Sequence, residues 1–173
     1  MSQRPSKYKY WMDIAAAVSL RSHDEETKVG AILVKNDTGM VIASGHNGFV
    51  RGAPDESLPK VRPGKYQYMV HAEENLLAHC ARNGINVDDC KLVITLSPCQ
   101  KCLRLMWQAG ITEVICRDIY RDHCIDMEDI DIEQEQTEEG FYRLKYVVSE
   151  KQPKGYLRSI SRYIKKFWNN FRI

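Results

Sequence analysis

The sequence lacks the features that direct a chain to a membrane or to a disulfide-stabilised secreted fold. It contains no apolar run near the roughly 18 residues needed to cross a bilayer. No cysteine precedes Cys80, and six cysteines among 173 residues do not form the framework of a small disulfide-rich domain. The formal net charge is only +2, so electrostatics do not require a nucleic-acid partner. We therefore expect a cytoplasmic protein that binds neither a membrane nor a nucleic acid.

One folded domain accounts for most of the chain. Hydrophobic residues make up 43% and charged residues 28% of the sequence, a composition that allows a proper core at this length. We predict a domain over residues 1–150 and an extension over residues 151–173. In the extension, apolar residues recur at helical spacing among lysines and arginines, which predicts a basic amphipathic helix. This helix is expected to dock on the domain or on a neighbouring subunit, with a membrane surface or a nucleic acid as the alternatives.

Hydrophobic periodicity predicts helices that alternate with strands. Asp13 interrupts an apolar run that otherwise mimics a signal peptide, so residues 10–21 are predicted as an amphipathic helix. The further predicted elements are an antiparallel hairpin of strands 28–35 and 40–44, a helix at 70–82, a strand at 91–97, a helix that begins at Pro98 and ends before Gly110, and strands at 112–116 and 141–148. From residue 70 onward, this alternation predicts parallel pairing through crossover helices. The predicted fold class is α/β, a three-layer α/β/α sandwich around a mixed five-stranded sheet.

Two segments between these elements have unusual compositions. Residues 49–66 contain three prolines and two glycines, and a loop of this length is typical of a substrate-binding or interface element. Residues 122–139 contain nine acidic side chains and no lysine or arginine. We interpret this second segment as a solvated helix face or a disordered loop.

Two short motifs carry the chemistry. His71-Ala-Glu73 opens one predicted helix, and Pro98-Cys99-Gln-Lys-Cys102 opens another. Together they offer one imidazole and two thiolates, and a zinc ion with three protein ligands keeps its fourth tetrahedral position for water, as in catalytic sites. A helix N-terminus favours negative charge and helps to keep both cysteines as thiolates. The pattern predicts a catalytic zinc ion bound by His71, Cys99 and Cys102.

Glu73 distinguishes a catalytic site from a structural one. A carboxylate near the metal that does not bind it can take a proton from water and return it to a substrate nitrogen. A structural zinc or a redox dithiol is the alternative, and it leaves Glu73 without a role. We set aside the histidines and cysteines that lie too far along the helix or lack clustered partners: His79, Cys80, Cys90, Cys116, His123 and Cys124.

With these motifs, the chain resembles the deoxycytidylate (dCMP) deaminase family within the cytidine deaminase superfamily. A His-x-Glu motif followed by Pro-Cys-x-x-Cys is the signature of zinc deaminases that act on cytosine or adenine. The resemblance runs from about residue 10 to about residue 148 and includes segments 27–31, 45–49, 65–73 and 95–99. The Lys-Tyr-x-Tyr-x-Val sequence ahead of His71 is the most specific of these, because tRNA adenosine deaminases and riboflavin-pathway deaminases generally lack it.

The resemblance implies a cytidine deaminase-like fold and a role for each matched residue. It implies one catalytic Zn²⁺ per subunit, bound by the two motifs, with Glu73 as the proton shuttle. The residues implied to contact the nucleotide are Asn47, Ala72, Ser97 and Tyr120, the second and third through the backbone. The implied reaction is hydrolytic deamination of dCMP to dUMP and ammonia, which supplies the precursor of thymidylate.

The resemblance also implies regulation and assembly. Many family members are homohexamers that dCTP activates and dTTP inhibits at subunit interfaces. The residues implied at the effector site are Lys28, Gly45, His46, Asn47 and Gly48. The 5′-phosphate needs cationic or N–H donors, and the sequence leaves open which of the nearby basic residues supply them: Arg51, Arg62, Lys65, Arg117 or Arg121.

Three other functions stay open at this point. The first is deamination of another cytosine nucleotide or nucleoside, such as dCTP or cytidine. The second is deamination of cytosine in a polynucleotide, which only the basic extension favours. The third is a non-catalytic zinc-stabilised interaction module, for which Glu73 has no function.

Overall fold

The computed structural model describes residues 4–120 and 132–147, and the predicted basic helix at 151–173 lies outside them. The described helices are α1 (Lys7–Ser19), α2 (Ala72–Asn83) and α3 (Gln100–Gln108), with a short 3₁₀ helix at Gly64–Gln67. The described strands are β1 (Gly30–Lys35), β2 (Val41–His46), β3 (Gly48–Phe49), β4 (Met69–Val70), β5 (Cys90–Leu96), β6 (Glu113–Asp118), β7 (Ile132–Gln136) and β8 (Tyr142–Tyr146). Six of these strands form one sheet in the order β2-β1-β5-β6-β8-β7, and β3 pairs with β4 separately.

Helices cover both faces of the sheet, which confirms the three-layer sandwich. On one face, Trp11 and Met12 of α1 pack in a buried cluster with Ile32 and Val93. On the other face, α2 and α3 contribute to a second buried cluster that includes alternate residues of the same strands. Because β1 and β5 are buried on both faces, they are nearly continuous apolar runs, and this made them easy to predict.

The sheet is mixed, as predicted. The cysteine motif follows its central strand β5, whereas the His71 motif follows β4 of the separate two-stranded sheet. The hairpin of β1 and β2 is antiparallel, and β5 pairs in parallel with β6 through α3. The helix predicted at 70–82 is confirmed as α2, and Gly84 ends it in a left-handed conformation with φ 66°. Pro98, in contrast, does not occupy the first helical position: Cys99 is the N-cap of α3, so the proline precedes the cap.

The prediction of five strands was wrong by one. The acidic segment contains β7, which is the edge strand of the sheet and pairs antiparallel with β8. An edge strand that is exposed on its faces needs no apolar residues, and Glu135 lies opposite Arg143 with an ion pair of 2.6 Å between them. β8 in turn pairs antiparallel with β6, so the parallel pairing predicted from residue 70 onward holds for β5 and β6 and is wrong for β8.

Candidate active site

The metal-binding motifs meet where α2 and α3 begin. His71 is the N-cap of α2, Cys99 is the N-cap of α3, and Cys102 lies in the first turn of α3. The Nδ1 atom of His71 lies 3.7 Å from the sulfur of Cys99 and 3.5 Å from that of Cys102. A tetrahedral zinc ion with bonds of about 2.0–2.3 Å holds its ligand atoms about 3.6 Å apart. The donor types and their spacing therefore fit one zinc ion with an open fourth position.

Within residues 4–120 and 132–147, these three side chains are the one group of three or more potential ligands close enough to share a metal ion. Cys80, Cys90 and Cys116 are buried in the core, away from this group. His123 and Cys124 lie outside the described residues. The described part of the chain thus offers a single metal site, in line with the expectation of one ion per subunit.

Close packing and a side-chain cap hold the two helix starts in place. Gly45 of β2 approaches the first turn of α2 so closely that a Cβ atom there would lie 2.7 Å from the carbonyl oxygen of Ala72. The carboxylate of Glu74 accepts a hydrogen bond of 3.1 Å from the backbone N–H of His71. The same carboxylate forms a 3.1 Å ion pair with Lys101 of α3, so it links the two helices that carry the ligands.

The two thiols and Glu73 have strongly shifted pKa values. Cys99 shares hydrogen bonds with the Cys102 thiol and with the ring of His71, and these bonds lower the pKa of Cys99 to about 3. The same bond to Cys99, together with burial, raises the pKa of Cys102. Glu73 is only 4% exposed in the first turn of α2, and its burial raises the pKa of its carboxyl to about 7. A buried carboxyl with a perturbed pKa beside a metal cluster is typical of a catalytic site.

A cavity of about 180 Å³ opens beside this cluster and has two distinct sides. The first, which we call the motif wall, consists of His71, Ala72, Glu73, Ser97 and Cys99. The second, which we call the loop wall, consists of Asp24, Thr27, Arg62, Lys65 and Tyr66. Asn47 and Tyr120 also line the cavity, so the structure brings together all four residues predicted to contact the nucleotide.

Tyr120 and Asn47 are each tied to the protein around the cavity. The hydroxyl of Ser97 accepts a 2.8 Å hydrogen bond from the backbone N–H of Tyr120, which joins the ends of β5 and β6. The side-chain oxygen of Asn47 accepts from the N–H of Val29 at 2.8 Å, and its amide group donates to the carbonyl of Thr27 at 2.8 Å. Asn47 is thus buried and fixed in orientation where it meets the cavity.

The loop wall is organised around a buried ion pair that sequence reasoning missed. Lys65 and Asp24 are 3% and 4% exposed, and the lysine Nζ lies 2.7 Å from both carboxylate oxygens. The Asp24 carboxylate also accepts hydrogen bonds from the backbone N–H groups of Glu26 and Thr27 and from the amide of Asn47. The charge of Lys65 was visible in the sequence, but its partner is 41 residues away and no local spacing signals the pair.

The structure separates the basic residues that the sequence left open for phosphate binding. Arg62 and Lys65 line the cavity, whereas Arg51 and Arg117 are not among its lining residues. Arg117 instead donates to the neighbouring Asp118 at 2.9 Å. Arg121 lies outside the described residues.

The residues predicted for effector binding lie around the β2–β3 turn. Lys28 is exposed, His46 is half-buried, and Gly45 and Gly48 are buried. None of these four lines the described cavity, whereas Asn47 does. A Cβ atom at Gly48 would lie 3.2 Å from the ring of His23, so the turn packs against the segment that follows α1. The effector role of these residues stays a prediction.

Fold and site together define an α/β protein in which a buried carboxyl lies beside a three-ligand site that fits zinc. Residues 5–117 match the family model described as the cytidine and deoxycytidylate deaminase zinc-binding region. The chain belongs to this family. Because the matched region is the family's zinc-binding region and the clustered donors fit zinc, the cofactor is Zn²⁺.

The chain is similar to several deoxycytidylate deaminases. It is 36% identical to the enzyme of Homo sapiens over 121 residues, which cover 66% of each chain and thus just under two thirds of the human enzyme. It is 34% identical over 125 residues to the enzyme of Mycobacterium phage D29, which cover 65% of this chain and 94% of the phage enzyme. Among solved structures, the dCMP deaminase of cyanophage S-TIM5 in complex with dCMP and dUMP is 32% identical, with a TM-score of 0.61 over 70% of this chain and 88% of that chain. No described helix is long and apolar enough to cross a membrane.

Proposed function

We propose that the protein is a zinc-dependent enzyme that hydrolyses dCMP to dUMP and ammonia. The observation that carries this proposal is the buried carboxyl of Glu73, which shares one cavity with the metal cluster of His71 and Cys99. The human and phage relatives are named deoxycytidylate deaminases, and the cyanophage enzyme is described with both dCMP and dUMP. The reaction supplies dUMP, the precursor of thymidylate.

In this proposal, the three metal ligands and Glu73 each have a chemical task. His71, Cys99 and Cys102 hold zinc, which when bound supplies the Lewis acidity that makes water a nucleophile near neutral pH. Glu73 accepts a proton from the attacking water and delivers it to ring nitrogen N3. The second proton of the water passes through the same carboxylate to the departing amino group. Oxygen thus replaces nitrogen at C4, and ammonia leaves.

The neighbouring residues position the nucleotide in this proposal. Asn47 contacts the nucleoside, Tyr120 lies beside the base, and the backbone at Ala72 and Ser97 binds the edge of the base. Support comes from their location on the cavity and from the hydrogen bonds that fix Asn47 and the Tyr120 backbone. Preorganised polar groups of this kind hold a substrate in a reactive orientation without a further entropic cost at the moment of reaction.

We also propose that the protein is a cytoplasmic homo-oligomer, with a hexamer favoured, that dCTP activates and dTTP inhibits. The turn from Gly45 to Gly48 and the exposed Lys28 support this proposal through their resemblance to the family's effector motif. Light scattering gives the subunit number, and initial rates with each effector give the response. A monomer that neither nucleotide affects would contradict this part of the proposal.

The test of the reaction is ultraviolet-monitored deamination of dCMP, dCTP and deoxycytidine in parallel by the zinc-loaded protein. We expect dCMP to be the preferred substrate, with turnover raised by dCTP and suppressed by dTTP. Preference for dCTP would move the function to another nucleotide deaminase. Inactivity on all three would contradict the proposed reaction and direct the search to polynucleotides.

A further inference from the structure

The two cationic side chains on the cavity differ in what their charges face. Lys65 is almost fully buried, and its ammonium group lies 2.7 Å from Asp24 and 3.1 Å from Glu26. A lysine enclosed by two carboxylates holds the protein together and has no exposed surface for a ligand. Arg62 is the other cation on the cavity, and its side chain is 40% exposed. It therefore lies at the rim, where a group from solution can reach it.

Hydrogen bonds hold the guanidinium of Arg62 in a defined position. Its Nε donates to the hydroxyl of Tyr66 at 2.9 Å, and its Nη2 donates to the hydroxyl of Thr27 at 2.9 Å. Its Nη1 lies 3.5 Å from Glu26, a loose contact, and Glu26 also faces Lys65. A guanidinium has five N–H donors. Within the described residues, two of them make hydrogen bonds and the two on Nη1 face Glu26 at a loose ion-pair distance, so the second Nη2 donor and the loosely held Nη1 can turn to an incoming anion.

The gradient of burial across the cavity matches the polarity of a nucleotide. The reacting base must reach Glu73, which is 4% exposed, whereas the side chain of Arg62 on the same cavity is 40% exposed. A phosphate monoester is strongly hydrated, so it is best placed at a rim where part of its water shell remains. An arginine held at that rim with unused donors offers the two-pronged geometry that a phosphate accepts.

We propose that Arg62 binds the 5′-phosphate of the substrate and makes the enzyme specific for the nucleotide over the nucleoside. This inference rests on the proposed function and adds to it the residue that selects dCMP over deoxycytidine. Tyr66 and Thr27 act as positioning residues, because each accepts a hydrogen bond from the guanidinium. Lys65 contributes through the ion pair that fixes the same wall and not through contact with the phosphate.

The experiment compares initial rates on dCMP and on deoxycytidine for the zinc-loaded wild type, Arg62→Gln and Arg62→Lys. For Arg62→Gln, we expect kcat/KM for dCMP to fall about 10- to 100-fold, chiefly through KM, because charge-assisted hydrogen bonds to the phosphate are lost. The rate on deoxycytidine should stay within about twofold, since no phosphate is present. Arg62→Lys should lose less on dCMP, because it keeps the charge and lacks only the planar fork. Arg82→Gln, which changes an exposed arginine near the end of α2, is the matched control and should change neither rate.

A second measurement covers the case in which deoxycytidine turnover is too slow to follow. Inhibition of dCMP turnover is measured with dUMP and with deoxyuridine, which differ only in the 5′-phosphate. The ratio of their inhibition constants gives the contribution of the phosphate to binding. Arg62→Gln should raise the inhibition constant of dUMP and leave that of deoxyuridine unchanged. Thermal unfolding and zinc content, measured for every variant, show that the comparison is made on folded holoenzyme.

Two outcomes contradict the inference alone. If Arg62→Gln lowers the rates on dCMP and deoxycytidine equally, Arg62 only maintains the shape of the loop wall. If the wild type is active on dCMP and Arg62→Gln prefers dCMP over deoxycytidine as strongly as the wild type does, the phosphate is bound elsewhere. A wild type with no turnover of dCMP contradicts the proposed function and this inference with it.

Discussion

The motif wall and the loop wall line the same cavity but are held by different forces. Backbone geometry positions the motif wall, because His71 and Cys99 are the caps of two helices; it also places the third ligand, Cys102, in the first turn of α3. In the loop wall, side chains hold one another, and the buried pair of Asp24 and Lys65 joins segments far apart in the sequence. In the proposed function, the catalytic groups thus lie on regular secondary structure, and substrate selection depends on a wall that a polar network holds.

The largest effect is expected when the carboxyl of Glu73 is removed from the motif wall, because this tests whether catalysis depends on that wall. For Glu73→Ala, we expect kcat to fall by about 10²- to 10⁴-fold, because the protons that pass from water to N3 and to the departing amino group lose their carrier. Zinc content and thermal stability should be retained, since Glu73 is not one of the clustered ligands and its removal leaves no charge buried. Metal analysis, thermal unfolding and the ultraviolet rate assay together check this.

Glu56→Ala is the matched control for this variant, because Glu56 is a carboxylate on the loop whose side chain is 97% exposed. It should keep full turnover. If Glu73→Ala also keeps its turnover, the proposed mechanism is wrong and the zinc site belongs to a non-catalytic module. If Glu73→Ala loses zinc, the carboxyl contributes to the metal site itself.

Removal of the buried cation tests whether the loop wall depends on its ion pair. For Lys65→Met, we expect the free energy of unfolding to fall by about 3–5 kcal/mol, because Asp24 remains buried without its partner. Urea unfolding at saturating zinc measures the difference. Adding Asp24→Asn to Lys65→Met should recover part of the loss, since the uncompensated charge is then removed as well.

The matched control is Lys9→Met, which breaks the exposed i,i+4 pair of Lys9 with Asp13 on α1. A surface pair of this kind contributes less than about 0.5 kcal/mol. If Lys9→Met and Lys65→Met lower the free energy of unfolding equally, burial does not increase the contribution of the loop-wall pair to stability. A small loss in Lys65→Met alone would mean that the wall holds its shape by packing.

The two walls also differ in how far the sequence could predict them. The His-x-Glu and Cys-x-x-Cys spacings are local, and a helix start converts such spacings directly into a cluster, so the three clustered ligands and Glu73 were predicted from the motifs. Ala72 and Ser97 were expected only through the family resemblance. The central strands β1 and β5 were equally accessible, because burial on both faces makes them continuous apolar runs. Local rules of spacing and periodicity thus suffice for the part of the site that local backbone geometry builds.

The remaining features depend on contacts between distant segments. Asp24 is one acidic residue in a polar turn, and only the fold brings it to Lys65. The sequence did not predict β7, because four of its five residues are polar. Its ladder with β8, with Glu135 opposite Arg143, forms only once the sheet is assembled. Both misses come from polar residues whose partners are supplied by tertiary structure, which overrides local preference.

The smallest effect is expected for Glu74→Ala, which tests whether the motif wall depends on side-chain contacts. Glu74 accepts a hydrogen bond from the backbone of His71 and pairs with Lys101, so it both caps α2 and bridges to α3. For Glu74→Ala, we expect the free energy of unfolding to fall by about 1 kcal/mol, the usual contribution of a helix cap, with a modest loss of zinc affinity. Urea unfolding and competition with a zinc chelator measure the two effects.

Lys101→Met removes only the bridge, whose lysine side chain is 78% exposed, and should leave both values unchanged. If Lys101→Met reproduces the loss in Glu74→Ala, the ion pair and not the cap holds the ligands together. If Glu74→Ala costs as much as Lys65→Met, the motif wall depends on a polar network as strongly as the loop wall does, because a single cap at a partly solvated helix end cannot account for so large a loss.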